Sequence, residues 1–394
     1  MKLAVVGIGN AGGKIADRLL RFEEDTNRSL CRFVTALNTA QIDLAKLEYV
    51  PEEYRILYGQ TDERSKGHGV GADPDTGAAV TRADIRELRR VLDDVPIFDV
   101  DAFLVIAGLG GGTGSGGAPV LAEEIGNQYE EPVYGMGVLP SQDEGGRASL
   151  NAARSLPTFN DAVDALVLFD NDSWRGASDS VESGYERTNH EMAKRIVTLL
   201  AAGERDGSAV SENAMDASDV RRTLATGGIS SVAFAETDVS AINREPRGLL
   251  DRLRMNTESE DQDGADPATK VHGLVRRAVR SRLTIPADIE SAERALLVVS
   301  GPPSEFSQKG LERARRWIET EIGSAEVLAG DDPRHSSPVL SATVLLSNVT
   351  EVPRIDDLQN QAVEAQDNIR SQEEGREEEI ASLVTDEGNE LDPV

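Results

Sequence analysis

Cysteine, lysine and aromatic residues are all scarce in this chain of 394 residues. Cys31 is the single cysteine, which excludes an intramolecular disulfide and any thiolate metal cluster and fits a reducing cytoplasm. Lysine supplies 7 of the 41 basic residues and arginine the other 34, against 70 acidic residues, for a net charge of −29. So acidic a surface argues against a nucleic-acid binder, which presents a basic face. No run reaches the ~18 apolar residues of a membrane span. The N-terminus carries one lysine and then a short apolar strand, so no signal peptide is expected. His68, His190, His272 and His335 are scattered without metal-ligand spacing, so no protein metal site is expected. Dense acids with few lysines suit a protein kept soluble in concentrated salt, where screening relieves self-repulsion.

What is present is a repeated alternation. "KLAVVGIG", "RFVTALN", "AFLVIAGLG", "PVYGMGVLP" and "DALVLFDND" are apolar runs that end in Gly, Asn or Asp, with helical patterns between them such as Ala83 to Leu92 and Ala118 to Tyr129. Continuous apolar strands joined by helices predict a parallel, Rossmann-like α/β sheet covered on both faces, with its ligand at the carboxyl ends of the strands. "ERTNHEMAKRIVTLLAAG" follows, with Met192, Ile196, Leu199 and Leu200 at helical spacing. "ALLVVSGPP", "LERARRWIETEI", "SAEVLAG" and "SATVLLSNV" then predict a second, smaller α/β unit. The expected division is 1–184, a central helix 185–208, 209–354 with a mobile acidic loop at 256–268, and a tail 355–394. That tail has 13 acids and 2 bases, so it is expected to be largely disordered beyond a short initial helix.

Two glycine-rich loops carry the chemistry. "GIGNAGGK" contains G-x-G-x-x-G as Gly7, Gly9 and Gly12 after a strand, which raises a nicotinamide enzyme as one reading. The next strand ends in Asn38 and Thr39 rather than the carboxylate that would hold the ribose, which disfavours it. "GGGTGSG", Gly110 to Gly116, is more specific. Its consecutive glycines let N–H groups converge on phosphate oxygens, Thr113 and Ser115 add hydroxyls, and a helix from Gly117 onward would direct its positive end at the phosphates.

"GGGTGSG" resembles the signature of the tubulin/FtsZ superfamily, and over roughly residues 1 to 350 the chain is most similar to the CetZ group of tubulin-like proteins from halophilic archaea. The resemblance implies a GTPase that polymerises head to tail, with a nucleotide-binding domain, a central helix and a smaller activation domain. It implies GTP or GDP as ligand, Mg²⁺ carried with the nucleotide, and a cytoplasmic filament that leaves room for peripheral contact with the inner face of the cell membrane. Asn10, Ala11, Gly12, Gly13 and Lys14 match the first nucleotide loop, Asn38 the end of the second strand, and Ala72 in "GVGADPDTG" the loop that senses the γ-phosphate. Gly110, Gly111, Gly112, Thr113, Gly114, Ser115 and Gly116 match the phosphate signature. Glu144 in "DEGGR" matches the ribose position, while Arg147 stands one place early. Asn171 matches the guanine-reading loop; Tyr185 and Asn189 in "YERTN" match residues that stack on guanine and bind its edge. Asp216 and Asp219 in "NAMDASDV" match the two acids that enter the next subunit's nucleotide site. Their spacing alone describes a capped helix start equally well.

The leading expectation is therefore a filament-forming GTPase acting in cell shape. An FtsZ-type division protein is the nearer alternative, although the end "TDEGNELDPV" lacks the apolar, Pro-containing peptide of that group. A GTP-binding scaffold with little hydrolysis is a third class. "VRRAVRSR", Val275 to Arg282, is the most basic stretch; a lateral or a membrane-surface contact is one reading, and a helix face paired with the chain's many acids is the expected one. The charge makes the first prediction. With −29 to disperse, the melting temperature should rise steeply from dilute to molar KCl. A flat profile in a thermal scan removes the high-salt reading.

Overall fold

The computed structural model describes residues 1–174, 181–202, 215–239, 266–335 and 337–385. Residues 256–265 of the expected acidic loop, and Asn213 and Ala214 of the acid-bearing segment, lie outside the described residues.

The unalternated apolar runs form β1 (Leu3–Ile8), β2 (Cys31–Asn38), β3 (Arg55–Leu57), β4 (Ala102–Gly108), β5 (Val133–Leu139) and β6 (Ala165–Asp170), followed by β7 (Ile229–Asp238), β8 (Arg294–Gly301), β9 (Val327–Pro333) and β10 (Val339–Ser347). They lie in one ten-stranded sheet ordered β3-β2-β1-β4-β5-β6-β7-β10-β8-β9. β3 to β7 pair in parallel across the first part of this order. β10 runs antiparallel to both β7 and β8, and β9 is parallel to β8. The second strand group thus continues the first sheet, through Leu166 opposite Ile229 and Val167 opposite Ser230.

The helices are α1 (Gly9–Thr26), α2 (Gln41–Leu44), α3 (Pro74–Ala83), α4 (Ile85–Leu92), α5 (Thr113–Gln128), α6 (Gly146–Asp161), α7 (Asn171–Trp174), α8 (Val181–Leu200), α9 (Ala217–Leu224), α10 (Pro267–Arg280), α11 (Gln308–Ile322) and α12 (Pro353–Thr385). Alternate strand residues face opposite layers, as a pleated strand requires. On one face Val5, Leu104, Ile106 and Val167 meet Ile15 and Leu19 of α1, Met192 and Ile196 of α8, and Leu224 of α9. On the other, Val6, Phe103, Val105 and Leu166 meet Leu121 of α5 and Phe159 of α6, and the same core continues to Leu274 of α10 and Ile318 of α11. α8, buried as its periodicity predicts, spans Val181–Leu200 against an expected 185–208, of which 203–208 lie outside the described residues.

Two expectations change. Helix α5 begins at Thr113 rather than at Gly117, so half of the glycine signature is the first turn of a helix. The tail, expected to be largely disordered beyond a short initial helix, is helical to Thr385, and residues 386–394 lie outside the described residues. Leu358, Ala362 and Ala365 recur at helical spacing and are buried, the two alanines against Leu150 of α6. A β-carbon on Gly146 would stand 2.8 Å from the Ala365 β-carbon, so this contact depends on small residues on both helices. The average acidity of the tail hides that short stripe.

The start of α12 is anchored by charge. Arg354 is 6 % exposed and Asp170 is 1 % exposed. The Arg354 Nε donates to Asp170 Oδ1 at 2.9 Å and its Nη2 to the Pro140 carbonyl at 2.9 Å. Ser173 Oγ donates to the other carboxylate oxygen of Asp170 at 2.6 Å. Removing one member leaves a buried ion uncompensated, which typically costs about 3–5 kcal/mol. Arg354→Met and Asp170→Asn should each lower unfolding stability on that scale, and the double substitution should cost less than the two added together. Chemical denaturation of the four proteins tests this; strict additivity would mean that the pair does not act as a unit.

Candidate functional site

Strands β1, β4, β5 and β6 all end on the same edge of the sheet, and their loops enclose a cavity of about 460 Å³. That is within the usual range for a small-molecule site. The turn out of β1 passes through Gly9 at φ 74°, a left-handed conformation that glycine adopts freely. It brings Asn10, Ala11 and Lys14 to the cavity wall. Lys14 has no carboxylate partner among the described residues, so its charge is available to a ligand. Gly110, Gly111, Gly112, Thr113 and Gly114 form the floor at the start of α5, whose first amides are directed at the cavity. Thr113 Oγ1 is 2.7 Å from Thr39 Oγ1, which ties this loop to the end of β2.

The remaining walls collect the other expected residues. Asn38, Ala72, Glu144, Asn171, Tyr185 and Asn189 all face the same space. Glu144 accepts the Ser141 amide at 2.9 Å and the Asn171 side-chain amide at 3.4 Å, so the loops after β5 and β6 hold each other. Asn38 Oδ1 accepts the Ala40 amide at 3.2 Å. Ala72 sits at φ 57°, a conformation costly for a residue with a β-carbon and one that concentrates at ligand sites. Asp73 beside it caps α3 and bonds Thr76 Oγ1 at 2.5 Å. These bonds, and more weakly the charge of Arg147, hold its carboxyl below the usual range. Arg147 is itself exposed, outside the cavity wall.

Four expected residues do not line the cavity. A β-carbon on Gly12 would stand 2.1 Å from the Ile106 carbonyl oxygen, and one on Gly116 2.0 Å from that of Pro74. These glycines let α1 meet β4 and α5 meet α3 at backbone contact. Gly13 faces Leu47 and Ala36. Ser115 turns back and donates to the Gly111 carbonyl, pinning the loop from beneath.

Asp216 and Asp219 lie at the opposite edge of the sheet. Met1, at the entry to β1, lies close enough for its ammonium to act on the Asp216 carboxyl. Two residues past Asp219, Arg221 donates to the carbonyl of Asp101, the residue that leads into β4, at 2.6 Å. The two acids form a capping box: Asp216 Oδ1 accepts the Ser218 amide at 2.7 Å and the Asp219 amide at 3.3 Å, and Asp219 Oδ2 accepts the Asp216 amide at 3.1 Å. The Ser218 hydroxyl and amide hold the Asp216 carboxyl below its ordinary range. One oxygen of each carboxylate has no partner among the described residues.

Several contributors carried no readable signal. His68, Ala40 and Asp43 line the cavity because a bridge between Ala40 and His68 folds that loop over it. Pro140 joins them. Asn151 on α6, 4 % exposed, donates its amide to the Ala72 carbonyl at 2.9 Å and to the Gly110 carbonyl at 3.1 Å, fastening two ligand loops together.

Residues 2–179 match the GTPase domain model of the tubulin/FtsZ family, and residues 178–364 match the C-terminal domain model of tubulin-like CetZ proteins. The tubulin-like protein CetZ1 of Haloferax volcanii is 48 % identical over 371 residues, covering 94 % of this chain and 93 % of the relative. The structure resembles the GDP-bound monomer of that protein (TM-score 0.80, 45 % identity, 93 % of this chain and all of the other). It equally resembles the GTPγS-bound protofilament of CetZ2 from the same organism (TM-score 0.80, 38 % identity, 94 % of this chain and all of the other). An FtsZ dimer from M. jannaschii, at 21 % identity and TM-score 0.66, shares the fold. This chain belongs to the CetZ group of the tubulin/FtsZ family.

Proposed function

We propose that this protein binds GTP in the cavity, stacks head to tail with further copies of itself, and hydrolyses the nucleotide at the junction of two subunits, as a cytoskeletal filament acting in cell shape. The observation that best supports it is the separation of the two residue sets. The cavity is at the exit of β1 and the acids are at its entry, six residues or roughly 20 Å away. No movement short of unfolding the sheet joins them within one molecule, whereas stacking one copy on another does.

In this reading Lys14, the Gly110–Gly112 amides and the α5 terminus neutralise the phosphates, and Tyr185, Asn171 and Asn189 hold the base. Water attacks the γ-phosphorus, the bond to the β-phosphate oxygen breaks, and GDP and phosphate leave. Asp219 of the adjoining copy accepts the water proton. Asp216, held ionised by its serine, is the weaker base and orients the water by charge. Mg²⁺ is proposed to arrive on the phosphates. Among the described residues no group of three His, Cys, Asp or Glu could hold a metal, and Mg²⁺ needs little more than one carboxylate such as Asp43 on the wall beside a phosphate. No helix among the described residues is long and apolar enough to cross a membrane. We place the filament in the cytoplasm, with any contact with the cell membrane peripheral.

The base reading makes one prediction. An asparagine that pairs with the N–H and carbonyl edge of guanine is left unpaired by adenine, so calorimetry should show GTP bound far more tightly than ATP. Asn189→Ala should weaken GTP. Equal affinities for the two nucleotides would overturn it.

The shared site makes another. Asp219→Ala should bind GTP as the wild type does but hydrolyse it about 10²–10⁴-fold more slowly, with longer-lived filaments. A β-carbon on Gly111 meets nothing within 4 Å, so Gly111→Arg projects into the cavity without disturbing the loop and blocks nucleotide. Mixed with Asp219→Ala, it still offers intact acids, and some activity should return. Per-molecule activity of dilute wild-type monomer equal to that of filaments would sink the shared site.

A further inference from the structure

The most basic stretch of the chain was expected to pair with its many acids, and among the described residues none of its arginines meets a carboxylate. Arg276 and Arg280 of α10 place their guanidinium groups 5.5 Å and 5.9 Å from the ring centre of Trp317 on α11. His272 meets the same ring edge-on at 6.3 Å. Arg276, Arg280 and Arg313 have no carboxylate partner among the described residues, in a chain with 70 acids and 41 bases. The Arg276 Nε is buried without an acceptor. Burial, and then the charges of Arg313 and Arg276, lower the pKa of His272, as a locally positive surface requires. Trp317 is half-exposed, while Arg280 and Arg313 are exposed.

The complementary surface is α12. Its first turns pack on α6, but every residue from Gln366 to Glu377 is exposed. That stretch carries Asp367, Glu373, Glu374 and Glu377 against Arg370 and Arg376. The helix continues to Thr385, 20 residues or about 30 Å past Ala365, which is its last buried residue among the described ones. A helical stretch exposed on every side, as Gln366 to Glu377 is, gains little stability by itself.

We infer that the acidic arm of α12 docks on the Arg276–Arg280–Arg313–Trp317 surface of a second copy of this chain. The occupant is a second copy because the arm leaves its own body while the patch stays on that body half-covered. Carboxylates meet planar guanidiniums already stacked on an aromatic face, a short-range contact. Such contact survives in concentrated salt, where attraction across several ångströms does not. Neither surface lines the nucleotide cavity.

Charge reversal on full-length protein tests it. One variant carries Arg280→Glu and Arg313→Glu, the other Glu373→Arg and Glu374→Arg. Self-association is measured by sedimentation velocity with GDP bound, which separates this contact from GTP-driven assembly. Each variant alone presents like charges on arm and patch and should associate about tenfold more weakly than wild type. Mixing the two variants pairs opposite charges in both directions and should restore association, which a misfolded variant cannot do. Failure of the mixture to recover overturns the proposal. So does recovery only when both reversals sit in one chain, which would mean an intramolecular contact. Unchanged self-association with lost binding to phosphatidylglycerol vesicles would overturn it too, in favour of a membrane surface.

Discussion

The site depends on helices that touch the sheet, and one another, at backbone distance. Gly12 brings α1 onto the Ile106 carbonyl of β4, and Gly116 brings α5 onto the Pro74 carbonyl that opens α3. Any side chain at either place would push a helix outward by more than an ångström, because a β-carbon there would meet oxygen at 2.1 Å or less. The two glycine loops and the loop at Ala72 would then separate, and the amides at Gly110 to Gly112 would no longer converge on one space. Asn151 closes the same triangle from the α6 side. The phosphate cradle is therefore set by packing beneath it as much as by residues facing the ligand.

Charge is divided between two tasks. Most acids lie at the surface, whereas among the described residues the buried cations are arginines, each reaching more than one acceptor. Arg354 serves Asp170 and the Pro140 carbonyl. Arg28 serves Asp332 at 2.9 Å and the Val197 carbonyl at 3.3 Å, linking the end of α1 to α8 and β9. Arg195 pairs with Glu191 and lies 4.2 Å from the Trp174 ring centre. A lysine ammonium makes no such forked contact and carries a heavier hydration shell. The shortage of lysine thus has an interior cause beside any surface one.

The parallel half of the fold was legible because its strands are buried on both faces and read as unbroken apolar runs. The antiparallel insertion of β10 was not, since pairing direction leaves no mark on a short apolar segment. Asn38 was legible as a site residue because it ends a strand, and Asn10, Lys14 and Thr113 because their glycine loops match the family's signatures. Asn151 was not, because an asparagine two turns into a helix reads as surface until the fold buries it. His68 and Asp43 reach the cavity only through the Ala40–His68 bridge, a contact that spacing does not encode. The length of α12 was missed for a different reason: a net-charge argument averages over 40 residues what three buried residues decide locally.

The two readings of Asp216 and Asp219, helix cap and hydrolytic pair, turn out to be compatible. Each carboxylate spends one oxygen on the other's backbone amide, which fixes the chain at the start of α9 and the direction of both side chains. The second oxygen of each is left over. A cap is thus a way to preorganise two acids at the protein surface, before any partner arrives, with no reorganisation needed when it does. Because the β1 and β4 strands are parallel, every subunit carries its cavity at one end and this pair at the other. Assembly that joins unlike ends is heterologous, and wherever its rotation does not close a ring it extends as an open filament whose two ends differ. The polarity of such a filament then follows from the polarity of the sheet.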